Sequence, residues 1–312
     1  MLLPPAISVP VEYGLPLADQ NAGIMQSSGF EVSIGSSKRF ENGLRLGLNA
    51  NYSYATNKMI QVFETAATLN NPNRSRTGRP YQTQFGYHAL GLFSTADDKN
   101  NDGIIDAADG YTVKQFGVLH PGDIRYADIG GADGKPDGKI DANDETKIGM
   151  PVYPLASYGI TPTASWKGLD LTLFFQGSAY ASLDIRQFQT IPFNNNNSNS
   201  SYEYYNNHWT PTTQNARYPR ANQAPYANNT QQSDFWFINT GYVRLKTATL
   251  GYTLPRSATQ LLKIQSLRLY VAGQNLWTVS KLKFMDPEVG YTDRETAYPN
   301  QKVYTVGLDI TF

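Results

Sequence analysis

One stretch of the sequence indicates the class of fold: Gly43-Leu44-Arg45-Leu46-Gly47-Leu48-Asn49-Ala50-Asn51-Tyr52-Ser53-Tyr54. In an extended strand its leucines, Ala50 and tyrosines would share one face, and Arg45, Gly47, Asn49, Asn51 and Ser53 the other. Strands in soluble sheets average about 5–6 residues, whereas a strand that crosses a membrane needs about 9–11. The stretch therefore predicts a β-strand long enough to cross a bilayer.

The same alternation recurs along the chain. The strong turn signal Asn42-Gly43 joins one pair of such strands into a hairpin, and a second hairpin follows the same plan through Lys167-Gly168. The predicted strands are 30–39, 43–54, 157–166, 169–176, 242–252, 266–277 and 303–312, with a weaker one at 81–93. A helical turn is predicted at 257–262, between two of them.

The connections alternate between short and long. Short turns at 40–43, 167–168 and 253–265 are separated by polar segments at 57–80, 94–152, 178–240 and 278–302. Structureless loops of that length are uncommon in a compact soluble domain, whereas bacterial outer-membrane barrels have short turns at one end and long loops at the other. The sequence thus predicts an all-β, antiparallel transmembrane barrel with two large extracellular segments, an acidic one at 94–152 and one rich in Asn and Tyr at 178–240.

Composition excludes several classes of protein. The 312 residues carry 26 basic and 26 acidic side chains, and this balance gives no electrostatic reason to expect a nucleic-acid partner and predicts no basic patch for a membrane surface. Without cysteine there is no disulfide, thiolate metal site or Cys nucleophile. No apolar run reaches the roughly 18 residues of a transmembrane helix. Residues 1–5 lack the features of a signal peptide, so we expect an internal start within a longer protein.

Aromatic side chains concentrate at the ends of the predicted strands, among them Trp166, Tyr252, Trp277 and Phe312. This placement is typical of the two interfacial girdles of a membrane barrel, although strands are enriched in aromatic residues in general. Two other folds remain possible from the pattern alone. One is a secreted, Ca²⁺-stabilised β-sandwich that binds glycans, and the other is a complete eight-stranded barrel.

Several passages resemble the SusC/RagA family of TonB-dependent transporters of Bacteroidetes-type bacteria. They are similar to family segments in order and spacing over nearly the whole chain, and they comprise 21–32, 121–128 leading into 137–141, 242–246 with 249–255, 270–277, and Asp286-Pro287-Glu288-Val289. The resemblance implies a plugged barrel of about 22 strands, of which this chain would supply about eight carboxy-terminal ones without the plug.

The resemblance also implies partners and a location. These are a SusD-like lipoprotein that closes over the barrel, the TonB-ExbB-ExbD complex acting through the amino-terminal part, the barrel-assembly machinery, outer-membrane lipid, and the outer membrane of a Gram-negative, Bacteroidetes-like cell. The transported solute would be an oligosaccharide or a peptide. Phe312, an aromatic residue at the end of an alternating strand, is interpreted as the assembly signal. From alternation alone, Arg45, Asn49, Asn51, Asp170 and Gln176 are predicted to face the lumen.

Two acidic segments resemble calcium-binding loops. In the first, oxygen ligands follow the required spacing at Asp98, Asn100, Asp102, Asp106 and Asp109, with Gly103 at the sharp turn. The second carries Asp133, Asp137, Asp141 and Asp144, but Lys135 replaces one ligand and Asp128 could substitute for it. Either loop could hold a structural Ca²⁺, and no other cofactor is predicted. The alternative is a turn in which Asp and Asn side chains accept hydrogen bonds from their own backbone.

No catalytic arrangement can be recognised, and we expect no enzyme activity. His88, His120 and His208 are far apart in sequence, and neither a nucleophile elbow nor a phosphate-binding loop is present. The polar segment 193–232 is interpreted either as a solvated loop or as a ligand-facing loop whose Tyr, Trp and Asn side chains contact a polar solute.

Overall fold

The structure is a computed structural model. It describes residues 2–3, 20–21, 23–69, 71–186, 190–193, 199–222, 226–260, 263–288, 298 and 300–312. Within these ranges, no helix has the length and apolar character needed to cross a membrane.

The described residues form fifteen strands. They are β1 Leu2–Leu3, β2 Gln20–Asn21, β3 Ile24–Arg39, β4 Arg45–Gln61, β5 Gln84–Gly86, β6 Ala89–Leu92, β7 Ile124–Tyr126, β8 Thr146–Ile148, β9 Ala156–Trp166, β10 Leu169–Ala179, β11 Ser182–Asp184, β12 Phe237–Asn239, β13 Tyr242–Thr253, β14 Ser266–Ser280 and β15 Val303–Thr311.

Helical structure is short in the described part of the chain. There are three α-helical segments: α1 Ala66–Leu69, α2 Tyr202–Asn207 and α3 Arg256–Thr259. Single 3₁₀ turns lie at Thr95–Asp97, Ala107–Asp109, Ala142–Asp144 and Asp234–Trp236.

The long strands form one antiparallel sheet of seven strands in the order β15-β14-β13-β10-β9-β4-β3. Neighbours in space follow one another in sequence, interrupted only by the long segments, so the sheet is a meander. β9 and β10 have 11 residues each. Such a strand rises about 36 Å, and a tilt of about 40° reduces its height to roughly 27 Å, close to the apolar thickness of a bilayer. The predicted antiparallel, all-β architecture is confirmed, and over the described residues the sheet is open, with β3 and β15 as its edges.

The chain divides into two compact units. One comprises 28–56, 153–181 and 239–312, and it contains most of the seven-stranded sheet. The other comprises 1–27, 57–152 and 182–238, and it contains the two segments predicted as extracellular, apart from a few terminal residues. Its buried side chains include Phe93, Ile105 and Leu119, which form one cluster against Tyr111.

The register of the sheet separates its two faces. Residues paired across a ladder share a face, so one row of the apolar face reads Leu46, Ala164, Leu171, Leu250, Val271 and Val306. Leu250, Val271 and Val306 are 48%, 50% and 83% exposed. A β-sandwich would bury this face against a second sheet. Its exposure contradicts the soluble-sandwich alternative and matches a face that meets lipid.

Several details differ from the sequence prediction. β3 begins at Ile24 and β4 runs to Gln61, so both strands are longer than the predicted 30–39 and 43–54, and β4 includes the first residues of the segment predicted as the loop 57–80. Seven strands, not about eight, form the sheet in the described residues, because residues 81–93 fold into β5 and β6, which pair with β8 and β7 instead. β5 and β6 are three and four residues long, and they are separated by Tyr87, which forms an isolated bridge with Ser233, and by His88. The predicted helical turn is present but begins at Arg256, after Pro255, and residues 261–262 lie outside the described ranges.

Candidate functional site

The five residues predicted to face the lumen lie on one face of the sheet, here called the polar face. Asn51 pairs with Gly159, which pairs with Gln176, and Arg45 pairs with Ser165, which pairs with Asp170. Asn49 lies two residues from Asn51 on the same strand and therefore on the same side. Alternation predicts this grouping because successive residues of a strand point to opposite faces of the sheet. A register error of one residue would have moved each of these side chains to the other face.

Hydroxyl side chains line the middle of the polar face. One row across the strands reads Gly47, Thr163, Thr172, Thr249, Ala272 and Thr305. A second row, nearer the long loops, reads Ser53, Ser157, Ser178, Tyr242 and Ser280, and the Ser53 and Ser157 hydroxyl oxygens lie 2.7 Å apart. Such a surface can donate and accept hydrogen bonds without carrying net charge.

A cluster around Arg244 occupies the loop end of the polar face. Its guanidinium donates to both carboxylate oxygens of Asp286, at 2.8 and 2.9 Å, to Glu288 at 3.0 Å and to the Thr278 hydroxyl at 2.9 Å. Tyr242 donates to the other oxygen of Glu288 at 2.8 Å. Arg244 is 2% exposed, so its charge depends on these acceptors.

The Arg244 cluster fixes the segment after β14 to the polar face. Burial acts to raise the pKa of Asp286, but hydrogen bonds from the Glu288 backbone and from Arg244 hold that pKa below its usual value. Sequence reasoning noted both family-like segments, 242–246 and 286–289, without joining them. The sequence does show a cation, Arg244, in one segment and two carboxylates, Asp286 and Glu288, in the other. Alternation within single strands does not reveal that these side chains meet.

The first acidic loop closes on its own backbone. Both carboxylate oxygens of Asp98 accept backbone hydrogen bonds, from Asp102 at 3.2 Å and Gly103 at 2.9 Å. Asp109 accepts from the backbone N–H groups of Lys99, Asn100 and Asp106. Burial acts to raise the pKa of Asp109, but these donors and the nearby Lys99 charge hold it below its usual value.

The second acidic loop repeats this arrangement with a longer insertion. Asp128 takes the place of Asp98 and accepts from the backbone of Asp137 and Gly138. Asp144 takes the place of Asp109 and accepts from the backbone of Ile129, Gly130 and Asp141. Here burial prevails and raises the pKa of Asp144.

Two further ligand candidates act as caps in the acidic loops. Asp106 and Asp141 each accept a hydrogen bond from the backbone two residues later, at 2.7 and 2.8 Å, and begin a 3₁₀ turn. Asn100 and Asp102 share a side-chain hydrogen bond of 2.8 Å, whereas Asp133 accepts from the Lys135 backbone at 3.3 Å. Within the described ranges, no three His, Asp or Glu side chains are grouped as metal ligands. Ca²⁺ binding by these loops stays a prediction, and a turn that closes on its own backbone stays the alternative.

The Asn- and Tyr-rich segment presents an anchored helix, α2. Ser201 caps its N-terminus, and Tyr204 is buried, donates to Pro219 at 2.8 Å and stacks on His208. On the outer side of the helix Tyr202 and Tyr205 are 85% and 66% exposed. Since positions three apart lie on one helical face, two open phenol rings sit side by side on a fixed support.

The three histidines remain apart. His88 contacts Asp234, His120 contacts the Gly103 carbonyl, and His208 contacts the Tyr205 carbonyl. Each therefore has a local structural partner.

A meander of long strands with one exposed apolar face and one hydroxyl-lined face defines a class of protein, the membrane β-barrel wall. Solved structures of the RagAB peptide transporter share this fold, with a TM-score of 0.71 and 23% identity over all of this chain and 32% of theirs. The RagAB peptide importer in its open-open state gives a TM-score of 0.70 with the same identity.

Known sequences agree. TonB-dependent receptor P3 of Formosa agariphila is 27% identical over 97% of this chain and 30% of its own length. TonB-dependent receptor SusC of Bacteroides thetaiotaomicron is 27% identical over 65% of this chain and 20% of its own length. No family model matches the chain. The resemblance to the SusC/RagA group of TonB-dependent receptors is thereby confirmed, and the chain spans about a third of the length of such proteins.

Proposed function

We propose that this chain forms part of the wall and loops of an outer-membrane, TonB-dependent importer of oligosaccharides or peptides. The observation that carries the proposal is the two-sided sheet, whose apolar face is exposed across all its strands while its polar face presents rows of hydroxyl and amide groups. Lipid would contact the first face and the lumen the second. No catalytic step is assigned to it.

The named partners follow from the relatives. A SusD-like lipoprotein would cover the loop end, and TonB-ExbB-ExbD would supply the energy through parts of the protein outside this chain. Arg45, Asn49, Asn51, Asp170 and Gln176 would line the path of the solute. Phe312, exposed at the end of β15, would present the assembly signal to the barrel-assembly machinery.

Gene deletion in the producing organism tests the proposal. The deletion strain is grown on a panel of single oligosaccharides and single peptides, and uptake of the labelled compound is measured with and without a proton uncoupler. We expect loss of uptake for one compound class, restoration by the intact gene, and sensitivity to the uncoupler. Unchanged uptake of every compound would contradict the importer assignment.

Affinity purification tests the partner. The tagged full-length protein, extracted in mild detergent, is expected to bring down a lipoprotein encoded nearby. A tagged outer-membrane protein of another class is the control. Recovery of the protein without any lipoprotein would contradict the SusD-like partner while leaving the importer assignment in place.

A further inference from the structure

The balanced total charge conceals a separation of charge along the sheet. The end of the sheet with the short turns comprises residues 38–45, 166–170, 253–260, 263–268 and 309–312, and it carries seven Lys and Arg but three Asp and Glu. Since the whole chain is neutral, the remainder has an excess of acidic residues. This end is called the basic rim.

Several charges of the basic rim lie on the polar face and neutralise one another. Arg268 bridges Asp170 and Asp309, with its nitrogen atoms 2.7 and 3.1 Å from their carboxylate oxygens. Of the other cations, Lys38 lies near the end of β3, and Lys167, Arg256 and Lys263 lie in the connections between strands. The single carboxylate in these connections is that of Glu41. All four cations are exposed, and in the described part of the chain none of them forms an ion pair.

Two of these cations lie on aromatic rings at the border of the apolar face. The Lys167 Nζ is 4.6 Å from the centre of the Trp166 ring, and the Lys38 Nζ is 5.2 Å from that of Phe40. The Trp166 indole donates to the Asn42 carbonyl at 3.2 Å, which ties the two neighbouring turns together. By register, Trp166 shares the apolar face with Leu169, Tyr252 and Leu269.

We propose that the basic rim binds the phosphate headgroups of anionic phospholipids in the leaflet next to the short turns. The inference rests on the proposed function, because the apolar face must meet lipid for the rim to reach headgroups. A ring at the interface with an ammonium group beside it suits the boundary between acyl chains and phosphates. An acidic protein could bind these cations anywhere on the surface. Their position at the edge of the apolar face therefore favours a lipid headgroup as the ligand.

The test uses the full-length protein in mild detergent, with Lys38, Lys167, Arg256 and Lys263 replaced by Gln. The matched control replaces Arg76, Lys114, Lys135 and Lys147 by Gln, four exposed cations of the other unit that form no ion pair among the described residues. The midpoint of thermal unfolding is measured while phosphatidylglycerol, phosphatidylcholine or inorganic phosphate is added. Folding of each variant is checked by its heat-modifiable mobility in SDS gels.

Phosphatidylglycerol is expected to raise the midpoint of the wild type and the control above the level reached with phosphatidylcholine. Each cation removed from the rim should weaken this effect, by about fivefold in lipid concentration. Equal stabilisation of the rim variant would overturn the proposal, and so would equal stabilisation by inorganic phosphate. Should the fourfold variant fail to fold, Lys167→Gln alone serves, with Lys135→Gln as its control. A wild-type protein that never enters a bilayer would contradict the proposed function instead.

Discussion

Arg268 and Asp170 are joined by two hydrogen bonds, of 3.0 and 2.7 Å, although β13 lies between their strands. The guanidinium can cross β13 because the residue beneath it is Gly251. A Cβ at that position would lie 2.5 Å from the Arg268 Nη2 and 2.6 Å from the Asp170 Oδ1. The ion pair between Arg268 and Asp170 thus depends on Gly251, which contributes no side chain and thereby leaves the space that the guanidinium occupies.

Replacing Gly251 by Ala is expected to destabilise the sheet by about 1 kcal/mol, the value of a partly exposed ion pair. The flexible guanidinium can move away from the new methyl group, so the loss should be that of the bridge. Urea unfolding in lipid vesicles measures it. In an Arg268→Ala background the same substitution should cost much less, and an undiminished cost there would contradict this explanation. Gly131→Ala, where a Cβ meets no atom closer than 3.5 Å, is the control.

Arg244→Met is expected to release the segment after β14. Removal of the buried cation leaves Asp286 without its ion-pair partner and Glu288 with only the Lys246 ammonium, and breaking a buried pair in this way costs about 3–5 kcal/mol. Limited trypsin digestion should then cleave at Lys281 and Lys283 faster than in the wild type. Lys246→Met removes only a 3.3 Å contact with Glu288 and should have a small effect. Equal cleavage rates for the two variants would show that Arg244 does not hold the segment.

Glu64→Gln is expected to loosen the loop after β4. The Glu64 carboxylate accepts from the backbone N–H groups of Arg76 and Thr77 at 2.6 and 2.7 Å. Burial acts to raise its pKa, but these bonds and the Thr68 and Thr77 hydroxyls lower the pKa to about 2. Because solvent screens the partly exposed carboxylate, the stabilisation at neutral pH should be about 1–2 kcal/mol.

The pH dependence of this effect has a definite sign. A lowered pKa means that the stabilisation is complete above the ordinary value of 4.5 and is lost as the pH falls towards 2. Hydrogen exchange of the Arg76 and Thr77 amides should therefore be faster in Glu64→Gln at pH 7, with the difference shrinking below pH 4.5. A difference that persists unchanged at pH 2 would contradict the assignment. Glu41→Gln is the control, since Glu41 is exposed and forms no ion pair in the described part of the chain.

Ca²⁺ is predicted to stabilise the acidic loops if their carboxylates can turn from the backbone to a cation. After treatment with chelator, Tb³⁺ luminescence excited through nearby tyrosines measures occupancy in the full-length protein, and added Ca²⁺ should displace the signal. Asp98→Asn with Asp102→Asn should abolish the signal of the first loop, whereas Asp97→Asn, outside the ligand set, should preserve it. No luminescence in the wild type would leave the self-closed turn as the account of both loops.

Tyr202→Ala with Tyr205→Ala is expected to weaken capture of the transported solute. Loss of an aromatic contact is worth about 0.5–1.5 kcal/mol, which corresponds to an increase in the uptake KM of about two- to tenfold for each ring. The maximal rate should be preserved, because α2 is held by Tyr204 and not by the exposed rings. Tyr153→Ala, another exposed tyrosine, is the control. An unchanged KM would favour the solvated-loop interpretation of 193–232.

The local pattern was enough to predict the sheet. Alternation in 43–54 and 303–312 sorted every side chain onto the correct face, because a strand repeats every two residues and one face must avoid water. The turn signals Asn42-Gly43 and Lys167-Gly168 located two hairpins for the same local reason: each needs a backbone conformation that glycine adopts easily.

The relation between distant segments could not be read in this way. Residues 81–93 alternate like a strand of the large sheet, yet they pair with β7 and β8 in the other unit. The pattern within a segment does not show which distant segment it will pair with. Asp128 appeared only as a possible substitute for a ligand, and the fold shows it in the role that Asp98 plays in the first loop.

The sequence by itself determined that the strands are long enough to cross a bilayer, which side chains share a face, and where short and long connections alternate, because these depend on neighbours along the chain. Tertiary structure alone decided that Arg244 meets Asp286 and Glu288 and that Arg268 crosses Gly251 to Asp170. These relations depend on register between strands up to about a hundred residues apart. Register is set by the packing of the whole sheet, which no local pattern contains.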